Sequence, residues 1–284
     1  MNKRPSIFDL YKMKKMGEKI AWLTSYDFPT AQFAQEAGIE MILVGDSLGM
    51  CVYGYNGTVP VTMDQCITHC DAVRRGAPNC FVVGDMPFGS YQSSDEEAVN
   101  NAVRFLKEGD VDAIKLEGGA RIVSRIRAIT DAGINVIGHI GLTPQSSGQL
   151  GGHKAQGRTA ETAKLVVEDA LAVQEAGAKM LLVEAVPPEV MACIWEKLTI
   201  PVLSIGAGPN CDGQLLIVSD MIGQFQAFTP KFVKKYCNIA ETVVKAMEAY
   251  VADVKSGRFP DEDQYCYHML DGEKAKFDDL LKVS

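Results

Sequence analysis

Residues 113–119 read Ala-Ile-Lys-Leu-Glu-Gly-Gly (AIKLEGG). This is an apolar run of strand length in which Lys115 and Glu117 share one face, because side chains on a strand repeat every second residue. Charge appears where the run is about to give way to glycine. Working outward, the same pattern recurs on both sides. Before it come residues 20–26 (IAWLTSY), 41–46 (MILVGD) and 81–85 (FVVGD), and after it residues 135–139 (NVIGH), 180–184 (MLLVE) and 201–205 (PVLSI). Seven strands can be counted. An eighth is expected within residues 225–228, mainly because a closed barrel needs it.

Runs that stay apolar, instead of alternating with polar residues, belong to strands buried on both faces, as in a parallel sheet covered by helices. The intervening segments carry helix signals. Thr62 to Gln65 and Ser93 to Glu96 fit capping boxes. Gly38, Gly109, Gly133 and Gly177 each end a helical segment shortly before a strand, where a left-handed residue is needed. Such alternation builds either a barrel or an open doubly wound sheet. No G-x-G-x-x-G opens the first helix, and polar residues interrupt the C-terminal ends of six different strands. A doubly wound sheet gathers its site at one crevice, whereas a barrel collects strand ends from the full circle. The reading is therefore an α/β protein, a single-domain (β/α)8 TIM barrel over residues 20–254. Residues 1–19 are expected to form an N-terminal capping helix. Residues 255–284 are expected to be a C-terminal extension, packed outside the barrel or partly disordered.

The 284 residues are 47% hydrophobic and 23% charged, which suits a globular chain with a sizeable core and excludes fibre or wholesale disorder. A formal charge of −8 gives no basic surface for nucleic acid, so a small-molecule partner is expected. No apolar run reaches the roughly 20 residues of a membrane span, and the basic first 19 residues lack the apolar centre of a secretory signal. Eight cysteines without C-x-x-C pairing point to reduced thiols and a cytoplasmic setting.

The strand ends carry the chemistry. In order they are VGD46S, VGD85MPF, KLE117GG with Lys115, GH139IG, VE184AVP and IGAG208. A buried carboxylate costs several kcal/mol unless it is paired or bound to a metal. Acids repeated at this depth need a shared explanation, and a divalent cation supplies one. Asp46 and Asp85 can approach one ion, with Glu117 binding it directly or through water. Oxygen-only ligation points to Mg²⁺ in preference to zinc. The alternative for each acid is that it caps a following helix. Lys115 is placed to pair with a substrate carboxylate. A Schiff-base role needs a depressed pKa, and the surrounding acids should raise it instead. A structural salt bridge to Glu117 is the other option. Glu184 stands across the barrel as a general base, or as the cap of a helix starting at Pro188. His139 either orients the substrate or is simply hydrogen-bonded in place.

Three further features are weaker. Cys66, His69 and Cys70 share a helical face, but no further ligand follows at zinc spacing, so packing is expected. Gly206–Gly208 is read either as a phosphate loop or as a site of close ligand approach. Residues 151–158 (GGHKAQGR) are either a mobile lid or a solvated loop.

Taken together, TSYD27, LVGDSLGM50, AVRRGAP78, KLEGG119, GHIGLTPQS146, KAQGR158, IGAG208 and DGQ214 resemble the ketopantoate hydroxymethyltransferase family over residues 6–268. The resemblance implies a (β/α)8 barrel that transfers a one-carbon unit from 5,10-methylenetetrahydrofolate to 3-methyl-2-oxobutanoate. The product is 2-dehydropantoate, for pantothenate and coenzyme A synthesis, and a Mg-stabilised enolate is the intermediate. It also implies Mg²⁺ and a homodecamer. By motif, Asp46, Asp85 and Glu117 match the metal group, while Asp46, Ser47, Asp85 and Lys115 match the keto-acid contacts. Glu184 matches the proton acceptor. Ser219, Ala185 and Tyr55-Asn56-Gly57 depart from the family pattern without removing any of these groups. Competing functions are another metal-dependent carbon–carbon lyase or mutase acting on a 2-oxo acid, a Schiff-base aldolase, and a barrel serving only as a binding or assembly subunit.

Overall fold

A computed structural model describes residues 3–282. Eight parallel strands pair in sequence order and close on themselves: β1 (Ile20–Thr24), β2 (Met41–Val44), β3 (Phe81–Asp85), β4 (Ala113–Glu117), β5 (Val136–Gly141), β6 (Met180–Glu184), β7 (Val202–Ile205) and β8 (Gly213–Leu216). This is a (β/α)8 barrel. Closure is made where Ile20 registers with Gly213 and Trp22 with Leu215.

The eighth strand corrects the sequence reading. It is the segment Gly-Gln-Leu-Leu at 213–216, and residues 225–228 form a loop instead. The reason lies at Gly213, where a Cβ would sit 2.3 Å from the Ile20 carbonyl oxygen. Only glycine allows β8 to approach β1 this closely, and the aromatics at 225 and 228 could not. Gln214 is exposed, so β8 also lacks the continuous apolar run that marks its neighbours.

Inside the barrel, alternate residues of the strands form one cluster that includes Trp22, Met41, Leu43, Phe81, Val83, Ile137, Leu182 and Leu203. The helix Ile7–Met16 contributes Leu10, fully buried in that cluster. Its start is fixed by a reciprocal box in which Ser6 and Asp9 satisfy each other's backbone amides. Burying one leucine is worth about 1.5–3 kcal/mol, so this helix helps to seal one end of the interior. A second cluster lies between the strands and the surrounding helices. There Gly138 of β5 leaves room for Val173, whose Cγ1 would lie 2.3 Å from an added Cβ.

The expected caps are largely present, with two adjustments. Thr62 and Gln65 form the expected box, but the helix at Asp95–Glu108 is capped by Ser94 and not by Ser93. Gly38, Gly133 and Gly177 have positive φ. Gly109 has φ −100°, and the left-handed position falls on Asp110, at φ 47°.

The chain divides into two compact units, Met1–Tyr236 and Cys237–Ser284. The second consists of helices Ile239–Ser256, Glu262–Tyr265 and Glu273–Leu281. A boundary at 254/255 therefore falls inside a helix. Along that helix Val243, Met247, Tyr250 and Val254 recur at helical spacing and are exposed. Among the described residues no helix is long and apolar enough to cross a membrane.

Candidate active site

Asp85, Lys115, Glu117, His139 and Glu184 continue the inward-facing parity of their strands, following Val83, Ala113, Ile137 and Leu182. The sequence that fills the barrel with apolar side chains therefore ends each strand with a charged one over the core. Asp46 and Ser47 come from the turn after β2, ahead of the short helix Leu48–Cys51. All of them line one cavity of about 610 Å³.

The cluster is tightly connected. The ammonium of Lys115 lies 2.8 Å from Asp85 Oδ1, 3.3 Å from Glu117 Oε1 and 3.2 Å from His139 Nδ1. His139 Nε2 lies 3.1 Å from Glu184 Oε2. His139 Nδ1 also lies 3.4 Å from Glu117 Oε1, so the ring is lodged between Lys115, Glu117 and Glu184. Asp85 Oδ2 accepts from the Asp46 amide at 2.9 Å. The contact of Asp85 Oδ1 with Lys115 is an ion pair without hydrogen-bond geometry, which leaves that oxygen short of a donor. Ser47 Oγ is 2.8 Å from the Tyr26 hydroxyl.

Electrostatics follow from this crowding. Burial, and then the charges of Asp85 and Glu117, push the Asp46 carboxyl well above its ordinary value. Burial raises Asp85 too, against the pull of Lys115. Glu117 is the exception: burial works to raise it, but the Lys115 charge and a His139 hydrogen bond outweigh that and hold it down to about 2. For Lys115 burial works downward, yet the charges of Asp85 and Glu117 prevail and raise its pKa. A lysine held this firmly as ammonium is a poor Schiff-base nucleophile.

Three carboxylates face one lysine, an excess of buried negative charge that a divalent cation offsets. The donor set fits a hard ion, since Asp46 and Asp85 offer oxygen only. Among the described residues, no three His, Cys, Asp or Glu side chains are arranged to ligate an ion unaided. A hard ion held here would need oxygen ligands beyond these side chains.

Gln145 went unassigned in the sequence. It sits in the short 3₁₀ turn Pro144–Ser146 after β5 and is buried. Its side-chain amide donates to Asp46 Oδ2 and to the Met86 carbonyl, each at 2.9 Å, and its backbone amide donates to Glu117 Oε2 at 2.9 Å. Tyr91 donates to its Oε1 at 2.7 Å. One residue thus ties the β2 acid to the β4 acid. The available signal was a lone glutamine directly after Thr-Pro at a strand end.

The weaker candidates resolve by packing. Cys66 and Cys70 are fully buried in the core, and His69 bonds Tyr26 and Tyr53. Gly206 and Gly208 make room for Phe232 and Pro188. Residues 151–158 form part of the cavity wall through His153 and Ala155, and the Gln156 amide donates to the Ala185 carbonyl at 3.0 Å. Ala185 itself has φ 47°, a strained turn for a non-glycine, immediately after Glu184.

A closed parallel barrel with a charged cluster over the C-terminal ends of its strands defines a TIM-barrel enzyme whose site handles a small polar substrate. The chain belongs to the ketopantoate hydroxymethyltransferase family, whose pattern matches residues 4–262. It is 68% identical over 282 residues to the 3-methyl-2-oxobutanoate hydroxymethyltransferase of Alkaliphilus metalliredigens, covering 99% of each chain. It is 52% identical over 253 residues to that of Geobacillus kaustophilus, covering 89% of this chain and 91% of the other. The chain is thus an enzyme, a hydroxymethyltransferase of the pantothenate pathway. Among solved structures it is similar to phosphonopyruvate hydrolase complexed with oxalate and Mg²⁺, with TM-score 0.60, 12% identity and 98% of each chain covered. A second is 2,3-dimethylmalate lyase, a member of the PEP mutase/isocitrate lyase superfamily, with TM-score 0.58, 17% identity, and 98% of this chain and 96% of the other covered. These likenesses concern the fold alone, so the lyase or mutase alternative gains no separate support.

Proposed function

We propose that the chain transfers a one-carbon unit from 5,10-methylenetetrahydrofolate to 3-methyl-2-oxobutanoate, giving 2-dehydropantoate, with Asp46, Asp85 and Glu117, the last directly or through water, as the residues that would hold Mg²⁺. The observation that carries the reading is the buried excess of carboxylates around Lys115, with Glu184 set apart from them behind His139. When bound, the cation acts as a Lewis acid on the keto oxygen and acidifies the hydrogen at C3.

The chain's own residues do the rest. Lys115 meets the charge of the keto acid beside Asp85, and Ser47, steadied by Tyr26, meets its polar edge. Glu184 removes the C3 proton, with the His139 ring 3.1 Å from its carboxylate. The resulting enolate attacks the one-carbon unit. A homodecamer in the cytoplasm completes the reading. Ketopantoate formation should stop on treatment with EDTA and return with Mg²⁺. Turnover that survives thorough chelation sinks the metal assignment, and turnover without tetrahydrofolate sinks the donor.

A further inference from the structure

The cavity has two unlike walls. On the β4 side stand Lys115, Glu117 and their partners. On the opposite side, after β8, stand Ile217, Asp220, Phe225, Phe228 and Phe232. β4 and β8 are diametrically opposed in an eight-stranded barrel. A cavity of about 610 Å³ lies in the range that holds drug-sized ligands, which exceeds what a small keto acid fills. The aromatic wall suits a flat ring system. Phe225 and Phe228 meet edge to face at 5.7 Å.

Asp220 is the one acid on that wall. It belongs to the short helix Val218–Met221 and is only 6% exposed. Among the described residues no ion pair or side-chain hydrogen bond engages its carboxyl group, in contrast to Asp46, Asp85 and Glu117. The other ionisable groups that act near it are Lys235 and the Cys51 thiol. The Asp220 carboxyl oxygens are therefore open to the cavity that the residue lines, with no structural bond to account for an acid there.

We propose that Asp220 is a further catalytic residue, the general acid that opens the one-carbon donor; this rests on the methylenetetrahydrofolate reading above. The donor carries its methylene carbon between two amine nitrogens. One C–N bond breaks with its electron pair going to nitrogen, and that nitrogen takes the Asp220 proton. The methylene group is left on the second nitrogen as an iminium electrophile. Water adds to the iminium carbon and returns a proton to the Asp220 carboxylate. The hydroxymethyl group then leaves the second nitrogen as formaldehyde, its hydroxyl proton passing to that nitrogen, and the enolate attacks the formaldehyde carbon, the resulting alkoxide taking the proton held by Glu184. Burial raises the Asp220 carboxyl above its ordinary value, against the pull of Lys235, and so keeps it protonated closer to neutrality.

The reaction divides into two readouts. Exchange of the C3 hydrogen of the keto acid with deuterated solvent needs Glu184 and no donor, whereas product formation needs both. In Asp220→Asn, exchange is expected to stay within twofold of the parent while transfer falls about 10²–10⁴-fold, the span of a lost general acid. Asp220→Ser serves as a second variant, and the exchange rate itself reports whether the site has folded. Transfer by Asp220→Asn within threefold of the parent, with the parent using the folate, overturns the role of Asp220 alone. So does a parallel loss of exchange and transfer in both variants, which marks a structural residue. A parent that makes no folate-dependent product overturns the donor reading and this assignment with it.

Discussion

Replacing Lys115 with methionine keeps a long side chain while removing the only ammonium among three buried acids. At an effective dielectric of about 20, unit charges at the observed 2.8 and 3.3 Å attract by roughly 6 and 5 kcal/mol. Most of that gross attraction offsets the cost of burying the ions. The net loss on breaking such a pair is about 3–5 kcal/mol. At about 2–4 °C per kcal/mol for a unit of this size, Lys115→Met should melt roughly 6–20 °C below the parent near pH 8. The deficit must depend on pH. In the parent, Glu117 is depressed to about 2, so its stabilising effect is present above the ordinary carboxylate range and is lost as pH falls towards 2. Without Lys115 the folded-state pKa values of these acids rise instead. Stability is then retained below the ordinary carboxylate range, near 4, and lost as pH rises through the new values. The gap between variant and parent should therefore widen from pH 5 to pH 8, and Mg²⁺ should narrow it. Thermal melts across that range, with and without MgCl₂, provide the assay. A variant melting within 2 °C of the parent at pH 8, or a gap that does not change with pH, refutes the reasoning.

Gln145→Leu strips donors from Asp46 and from the Met86 carbonyl while leaving the backbone bond to Glu117; it should cost about 1–3 kcal/mol in denaturant unfolding. The variant should also need more Mg²⁺ for half-maximal activity, and an unchanged Mg²⁺ titration would show that Asp46 does not need its anchor. Gly141→Ala places a methyl group 2.3 Å from the Glu184 carbonyl oxygen at a backbone φ of 86°. A loss of roughly 2–5 kcal/mol is expected from strain and overpacking together, with activity falling further than Tm predicts because the base moves; equal activity per folded molecule would argue against that coupling.

Much of the barrel was legible because strands buried on both faces are written in apolar residues. β3, β4 and β6 coincide with their apolar runs, and β1, β2, β5 and β7 differ only at their ends. β8 escaped because its determinant is the absence of a side chain at Gly213, which allows contact with β1 and leaves no hydrophobic signal. The acids at the strand ends were legible as buried charge, and the structure brings Asp85, Lys115, Glu117, His139 and Glu184 into one connected group. Gln145 was not legible, because an uncharged side chain in a loop gives no sign of what it bonds. Asp220 was hidden for a related reason: the β8 end that carries it had been assigned to a later segment.

The central claim is that Glu184 moves the proton while a cation held by Asp46 and Asp85 makes that proton acidic. It is tested most directly by following deuterium entry at C3 of 3-methyl-2-oxobutanoate by NMR, without folate, in the parent and in Glu184→Gln. The account expects exchange in the parent with Mg²⁺, none after EDTA, and none in Glu184→Gln, although that variant still binds the keto acid. Exchange that persists in Glu184→Gln would place the base elsewhere and contradict the account.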